Sequence, residues 1–194
     1  MTSARRKLPA HMTADEFKAW LGDGAGGRYQ LVDGELRAMS PASTTHGTIQ
    51  GELAAMIRDQ LRGLGKKCRM VIEPAVEVRV RANINRRVPD IGVSCAADAP
   101  GQIELPDPIV LVEIMSPGNK DDTWDNVWAY TSIPTVSEIL VVQSTRVEAE
   151  VFRRQADGSW PAESEKVAAD GTLVLTSIGL SVPLRDIYHS TYLA

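Results

Sequence analysis

The chain has 194 residues, of which 43% are hydrophobic, and its net charge is −4 at pH 7 with a pI near 5.4. This length and hydrophobic content predict one globular domain with a full core. The acidic balance argues against indiscriminate coating of nucleic acid, and no apolar run approaches the roughly 18 residues of a membrane span.

The N-terminal residues 1–12 are basic but lack the apolar stretch of a signal peptide. We therefore expect a flexible arm at 1–12, a single domain at 13–194 and a cytoplasmic location. The two cysteines, Cys68 and Cys95, lack metal-type spacing, so we expect them to be reduced thiols.

Three local signals organise the first part of the domain. Residues 13–16 form a capping-box pattern that predicts the start of a helix. Residues 33–34 are Asp-Gly, which predicts a tight turn between two short strands. Residues 43–65 carry apolar side chains at spacings of three and four, which predicts an amphipathic helix that covers a sheet.

The remaining segments predict a sheet with one further helix. Alternating residues predict a half-buried strand at 76–81, and short apolar runs predict buried strands at 88–95, 109–115 and 138–143. A helix is expected to begin near Asp121, and a hairpin is expected around residues 170–171. The fold class is therefore α/β (α+β), with a central mixed sheet flanked by helices and additional hairpins.

Two of the buried strands each carry one acid among aliphatic neighbours, Asp90 and Glu113. A carboxylate in an apolar strand is costly to bury unless a partner or a cation compensates its charge. Two such acids on candidate neighbouring strands therefore indicate a shared ligand. The ligand that suits carboxylate oxygens is a hard divalent cation, Mg²⁺ or Mn²⁺.

The order Pro89-Asp90, a loop, then Glu113-Ile114-Met115 resembles the metal-binding core of the PD-(D/E)xK nuclease superfamily. Further motifs are similar to those of its bacterial restriction-endonuclease family called Uma-two, and the similarity runs from about 13 to about 151. These motifs lie at 29–41, His46, 88–93, 111–117, Tyr130 and 138–142. The resemblance implies a restriction-endonuclease-like fold.

The resemblance also implies a chemistry. Asp90, Glu113 and the main-chain carbonyl of Ile114 are expected to hold one or two Mg²⁺ ions for the hydrolysis of DNA phosphodiester bonds. Where the family usually has a glutamate that assists the metal site, this chain has Gln30, which supplies no charge. Glu35 matches the family pattern and is expected either at the site or as a solvated residue beside the turn.

The motif lysine is displaced or lost, because its position is occupied by Met115. In the Uma-two group this lysine commonly moves to the next helix, at the position of Asn126, which is also neutral. Lys120 is the nearby lysine that could replace it as a catalytic group or could simply be solvated. Its ammonium would orient the attacking water and offset charge on the transition state.

His46 and a group of arginines complete the candidate site. His46 falls in the first turn of the long helix, where it either fixes the helix entry or reaches the active site or the phosphate. Arginines near Asp90 in sequence could bind nucleic-acid phosphates through their forked donors, although a solvated strand face is an equal alternative. These are Arg69, Arg79, Arg81, Arg86 and Arg87.

Three interpretations follow. The first is a Mg²⁺-dependent endonuclease that cuts DNA. The second is a nuclease fold that binds nucleic acid or a protein partner without cleavage, as the missing lysine favours. The third is an oligomeric structural or regulatory protein, which the acidic pI favours but the paired acids leave unexplained. DNA is the expected partner, together with a second copy of the chain in a homodimer or larger assembly.

Overall fold

The computed structural model describes residues 8–20, 22, 26–65 and 67–194, and most of its strands belong to one sheet. The helices are α1 (Ala14–Ala19), α2 (Thr44–Gly63) and α3 (Lys120–Tyr130). The strands are β1 (Tyr29–Val32), β2 (Glu35–Ala38), β3 (Arg69–Ile72), β4 (Ile91–Ser94), β5 (Pro108–Met115), β6 (Glu138–Gln143), β7 (Ala149–Arg153), β8 (Glu165–Val167), β9 (Thr172–Leu175) and β10 (Leu180–Pro183).

The central sheet has six strands in the order β3-β4-β5-β6-β7-β8. β5 and β6 run parallel and are joined through α3, whereas the other neighbours are antiparallel. Two further antiparallel pairs, β1-β2 and β9-β10, form separate two-stranded sheets. The predicted mixed sheet with helices and hairpins is therefore confirmed.

The helices cover opposite faces of the sheet because alternate residues of each strand point to opposite sides. On one face, the apolar stripe of α2 packs on Val112 and Ile114 of β5 and their neighbours. On the other face, Val127 and Tyr130 of α3 pack with Leu111 and Met115 of β5. Glu113 lies two residues after Leu111, so its side chain is on the same face of β5 and points towards α3. No helix among the described residues is long and apolar enough to cross a membrane.

The predicted starts of the helices agree with the structure. Thr13 caps α1 with a complete capping box that includes Glu16, and Ser43 caps α2 through its hydroxyl. The Asp33-Gly34 turn has positive φ at both residues, as a two-residue hairpin requires. Residues 1–7 of the predicted arm lie outside the described residues, and at its described end Met12 is buried and donates to the carbonyl of Gly34.

Two element predictions are wrong. Residues 76–81 form no strand. Val76 makes a single bridge to Arg87, and the chain then enters a turn in which Arg81 has a positive φ. The Asp170-Gly171 turn is present, but the strands on either side do not pair with each other. β8 pairs with β7, and β9 pairs with β10, so the turn connects strands of two different sheets.

The two cysteines form a disulfide, so the prediction of reduced thiols is wrong. Arg69 of β3 is paired with Ser94 of β4, and one residue further along each antiparallel strand the same register places Cys68 opposite Cys95. The bond links the edge strand β3 to the strand that follows Asp90.

Reduction of this disulfide is expected to lower the free energy of unfolding by about 3 kcal/mol, because the bond closes a loop over a sequence separation of 27 residues. Urea denaturation with and without reductant measures the change. A Cys68→Ala/Cys95→Ala double variant is the control, since its stability should not respond to reductant. Two titratable thiols in the non-reduced native protein would contradict the prediction.

Candidate active site

The two acids meet at the end of the β4-β5 pair. Ile91 is paired with Val112, so the same antiparallel register places Asp90 opposite Glu113. Asp90 lies immediately before β4 rather than within it. Both residues are buried, with exposures of 6% and 4%. The sheet thus brings together the two acids that the sequence singled out.

Asp90 is held by contacts from two other elements, β5 and α2. Its Oδ2 accepts a hydrogen bond from the Ile114 main-chain N–H at 2.6 Å, and its Oδ1 lies 3.0 Å from His46 Nε2. Gln50, one turn after His46 on α2, donates to the Asp90 carbonyl at 2.9 Å. These contacts fix the direction of the carboxylate, and they show that His46 reaches the acids.

Glu113 accepts two hydrogen bonds from α3 through Oε1. The Tyr130 hydroxyl donates at 2.6 Å and the Asn126 amide at 3.1 Å. Burial first, and then the charge of Asp90, raise the pKa of Glu113 well above its usual range, while the two donors act in the opposite direction. Burial and the neighbouring Glu113 also raise the pKa of Tyr130, so its hydroxyl stays a donor.

The sequence identifies Tyr130 only as a family motif residue and gives no indication of its role at the acids. The sequence signal that could have found it is its spacing: Asn126 and Tyr130 are four residues apart and therefore lie on one face of α3. Both point at Glu113 because that face packs on β5.

A cavity of about 60 Å³ opens at the two acids. His46, Gln30, Thr123 and Asn126 line it together with Asp90, Glu113, Arg28 and Asn119. Three buried oxygens in its wall have no hydrogen-bond partner among the described residues. They are Oε1 of Gln30, Oδ1 of Asn126 and Oγ1 of Thr123. Orphaned buried oxygens are costly unless a donor or a cation satisfies them.

The donor set suits a hard divalent cation. Two carboxylates that repel each other and unsatisfied amide oxygens line one small cavity. The Ile114 carbonyl accepts a long 3.3 Å bond from the Asn119 side chain. No cluster of three His, Cys, Asp or Glu side chains suited to a metal occurs in the described part of the chain, so neutral oxygens and water would complete the shell. Mg²⁺ commonly accepts such a shell.

The other predicted catalytic residues lie further away. Glu35 is exposed on β2 and does not line the cavity. Lys120 is exposed at the first turn of α3 and borders a different cavity, with Trp124 and Gln143. Arg28, which the sequence analysis did not consider, borders the cavity and is ion-paired with Glu73. The described structure therefore brings an arginine, and not Lys120, to the acids.

The predicted phosphate-binding arginines have different environments. Arg79 is paired with Glu77 at 3.2 Å, and Arg81 with Asp33 at 2.9 Å, both at the surface. Arg86 is buried and donates to Glu104 at 2.5 Å. Arg69 donates to the carbonyl of Ala96 and is paired with Asp98.

Arg87 differs from these arginines. It is buried at 7% exposure, and its Nε and Nη1 have no partner among the described residues. Burial lowers the pKa of this guanidinium, which nevertheless stays charged because its unperturbed pKa is so high.

The sequence and the fold of the chain are similar to those of known proteins. A sequence profile of the Uma2 family, described as "Putative restriction endonuclease", matches residues 14–184. An uncharacterised protein of Synechocystis sp. is 27% identical over 164 residues, which are 84% of each chain. A crystal structure described as a "putative nuclease belonging to DUF820" from Anabaena variabilis superposes with a TM-score of 0.71. That structure is 18% identical and the match covers 92% of this chain and 98% of the other, which shows the fold.

Proposed function

The chain belongs to the Uma2 restriction-endonuclease family, and on this premise we propose that it is a Mg²⁺-dependent endonuclease that hydrolyses DNA phosphodiester bonds. The predicted family and fold are confirmed by the profile match and the nuclease-like structure. One observation carries the proposal. Two buried acids, one of them with a raised pKa, share a small cavity with orphaned amide oxygens.

Asp90, Glu113 and the Ile114 carbonyl would hold the metal, with Gln30 and Asn126 as supporting oxygens. When bound, Mg²⁺ polarises a phosphate oxygen and lowers the pKa of a coordinated water. The chain's own residues prepare this site. His46 and the Ile114 N–H orient the Asp90 carboxylate.

The hydrogen bonds that Tyr130 and Asn126 donate to Glu113 stabilise its ionised form.

The mechanism also needs a positive charge near the phosphate. Arg28 borders the cavity, and we assign that charge to it, with Lys120 retained as a phosphate contact outside the cavity. Arg79 and Arg81 would contact more distant phosphates. Glu35 does not line the cavity and would influence the site only through its negative charge.

A second candidate function is binding of nucleic acid without cleavage. It is favoured by the neutral residues at three positions where the family places or relocates charged groups, Gln30, Met115 and Asn126. In this case an Asp90→Ala variant would bind DNA as the unchanged protein does, and neither would cut it. The cytoplasmic location stays a prediction. A homodimer stays a prediction that analytical ultracentrifugation tests.

Metal titration tests the proposed function. Isothermal calorimetry is expected to show Mg²⁺ and Mn²⁺ binding to the unchanged protein and its loss in Asp90→Asn. Because the native pKa of Glu113 is raised, metal binding should release a proton at any pH where Glu113 is protonated in the metal-free protein, and affinity should rise with pH up to that pKa. Buffers of different ionisation enthalpy measure the proton release.

Asp98→Asn is the matched control, since Asp98 is exposed in the loop after β4 and is paired with the Arg69 side chain, away from the cavity of the acids. This variant should bind metal as the unchanged protein does. Absence of metal binding at millimolar concentration in the unchanged protein would mean that the acids are structural and would refute the metal-dependent nuclease.

A further inference from the structure

A second cavity, of about 370 Å³, is lined, like the first, by residues of α3 and of the β1-β2 hairpin. We call it the arginine cavity, because three arginines border it, and two aspartates, a tryptophan and an exposed valine are among its other lining residues. These residues are Arg37, Arg81, Arg87, Asp33, Asp125, Trp128 and Val80. Three guanidinium groups and two carboxylates border this cavity, and Asp122 pairs with Arg37 from outside it.

Arg87 is the unusual member of this cavity. It is more than nine-tenths buried, and its Nε and Nη1 have no hydrogen-bond partner among the described residues. The other two arginines are paired: Arg81 with Asp33 at 2.9 Å, and Arg37 with Asp122 and Asp125 at 3.3 and 3.6 Å. A buried guanidinium without a partner is costly, and its forked donors suit a phosphate. Arg87 is therefore available to an anionic ligand.

Trp128 provides an apolar surface at the same cavity. Its side chain is 54% exposed, although large aromatic residues of α3 otherwise face the core. The ring only partly rests on Phe152, with centroids 6.5 Å apart and an interplanar angle of 58°. Val80, also half exposed, lies beside it at the cavity. Exposed tryptophan near a cation is the combination on which single-stranded nucleic acids stack their bases.

The arginine cavity adjoins the acidic site. On α3, Asn126 lines the acidic cavity while Asp125, its neighbour, lines the arginine cavity. On the β1-β2 hairpin, Gln30 of the acidic cavity and Arg37 of the arginine cavity are cross-strand partners, which places their side chains about 5 Å apart at the Cβ atoms. A ligand with groups a few ångströms apart could occupy both cavities.

We propose that the arginine cavity binds one nucleotide of the substrate strand, with its phosphate on Arg87 and its base against Trp128. A base on the indole ring cannot remain paired and stacked in a duplex, so the substrate is single-stranded or locally unpaired next to the cleaved bond. The identity of the ligand rests on the proposed function, whereas the binding of a nucleotide here requires no metal.

The test is calorimetric titration of the full chain with thymidine 3′,5′-bisphosphate in EDTA, where metal chemistry is absent. Arg87→Met is expected to weaken binding at least tenfold, because it removes a charge-assisted contact. Trp128→Ala is expected to weaken it about tenfold, because base stacking is lost. Inorganic phosphate as the probe should respond to Arg87→Met but not to Trp128→Ala.

Arg58→Met is the matched control, since Arg58 is an exposed arginine of α2 that is paired with Asp59, and it should change the affinity less than about twofold. Unaltered bisphosphate affinity in both Arg87→Met and Trp128→Ala, or no binding to the unchanged protein at millimolar concentration, would overturn the proposal. If Arg87→Met does not fold, the exposed Trp128→Ala decides alone.

The two proposals fail separately. A chain that binds the bisphosphate through Arg87 and Trp128 in EDTA but cuts no DNA with Mg²⁺ retains the nucleotide subsite and loses the nuclease. A chain that cuts DNA with Mg²⁺ while both variants bind the bisphosphate normally retains the nuclease and loses the subsite.

Discussion

Replacement of Glu113 by glutamine is expected to reduce Mg²⁺-dependent cleavage of DNA by at least about 10³-fold and, at the same time, to stabilise the metal-free protein by about 1–2 kcal/mol. The two effects have one cause. Glu113 is buried opposite Asp90, and both burial and that neighbouring charge oppose its ionisation. Glutamine keeps the acceptor oxygen for Tyr130 and Asn126 but removes the charge that the metal needs.

The pH dependence of stability gives an independent check on this prediction. Because the native pKa of Glu113 is raised above its unfolded value, the native state binds more protons than the unfolded state between the two values. The stability of the metal-free protein should therefore fall as pH rises above about 4.5 towards the raised pKa. Glu113→Gln should lack this part of the decline.

Plasmid cleavage and thermal unfolding at several pH values, both with purified full-length protein, measure the two effects. Glu163→Gln is the control, since Glu163 is exposed and lies outside the cavity of the acids. A Glu113→Gln variant that cuts DNA normally, or that is less stable than the unchanged protein at pH 8, would contradict this account of Glu113.

Replacement of Glu138 by alanine is expected to destabilise the protein by about 3–5 kcal/mol. Glu138 is 2% exposed at the start of β6 and accepts main-chain hydrogen bonds from Thr176 and Ser177, each at 2.9 Å. Arg153 donates to it at 3.0 Å. Alanine would leave these donors without a partner and would release the turn between β9 and β10 from the sheet.

Acid should reproduce part of this loss. Burial, the largest influence, raises the pKa of Glu138, but the hydrogen bonds from Ser177 and Thr176 together outweigh it and lower the pKa. A lowered native pKa contributes stability above the unfolded value near 4.5, and that stability disappears as pH falls through the native value. Glu138→Ala should show a weaker acid transition.

Urea denaturation at pH 7 and pH 4 tests the prediction for Glu138. Glu165→Ala is the matched control, because Glu165 is exposed and pairs with the same arginine, Arg153. That control should lose less than about 1 kcal/mol. Equal losses in both variants would show that the stabilisation comes from Arg153 pairing and not from the turn.

Some elements of the fold and site were predictable because they depend on neighbours in sequence. The helix α2 follows from apolar residues at spacings of three and four and a serine cap. The strands β5 and β6 follow from short apolar runs, and Asp90 and Glu113 stood out as acids next to or within such runs. The family motifs also lie in these segments.

Other features could not be read from local patterns. Residues 76–81 have the alternation of a strand, yet the chain leaves after one bridge. Arg86 and Arg87 are adjacent and chemically identical, but one is paired with Glu104 and the other has no partner among the described residues. Alternate side chains point in opposite directions, so only the surrounding elements decide which of the two meets a carboxylate.

The sequence by itself determined which segments form helices and buried strands, and which two acids interrupt them, because periodicity and burial are properties of neighbouring residues. Only the tertiary structure decided what surrounds those acids. His46 is 44 positions from Asp90 in the chain, and Tyr130 is 17 positions from Glu113. These contacts, and the opposed Cys68 and Cys95, exist because strand register and helix packing bring distant residues together, and no local pattern encodes that register.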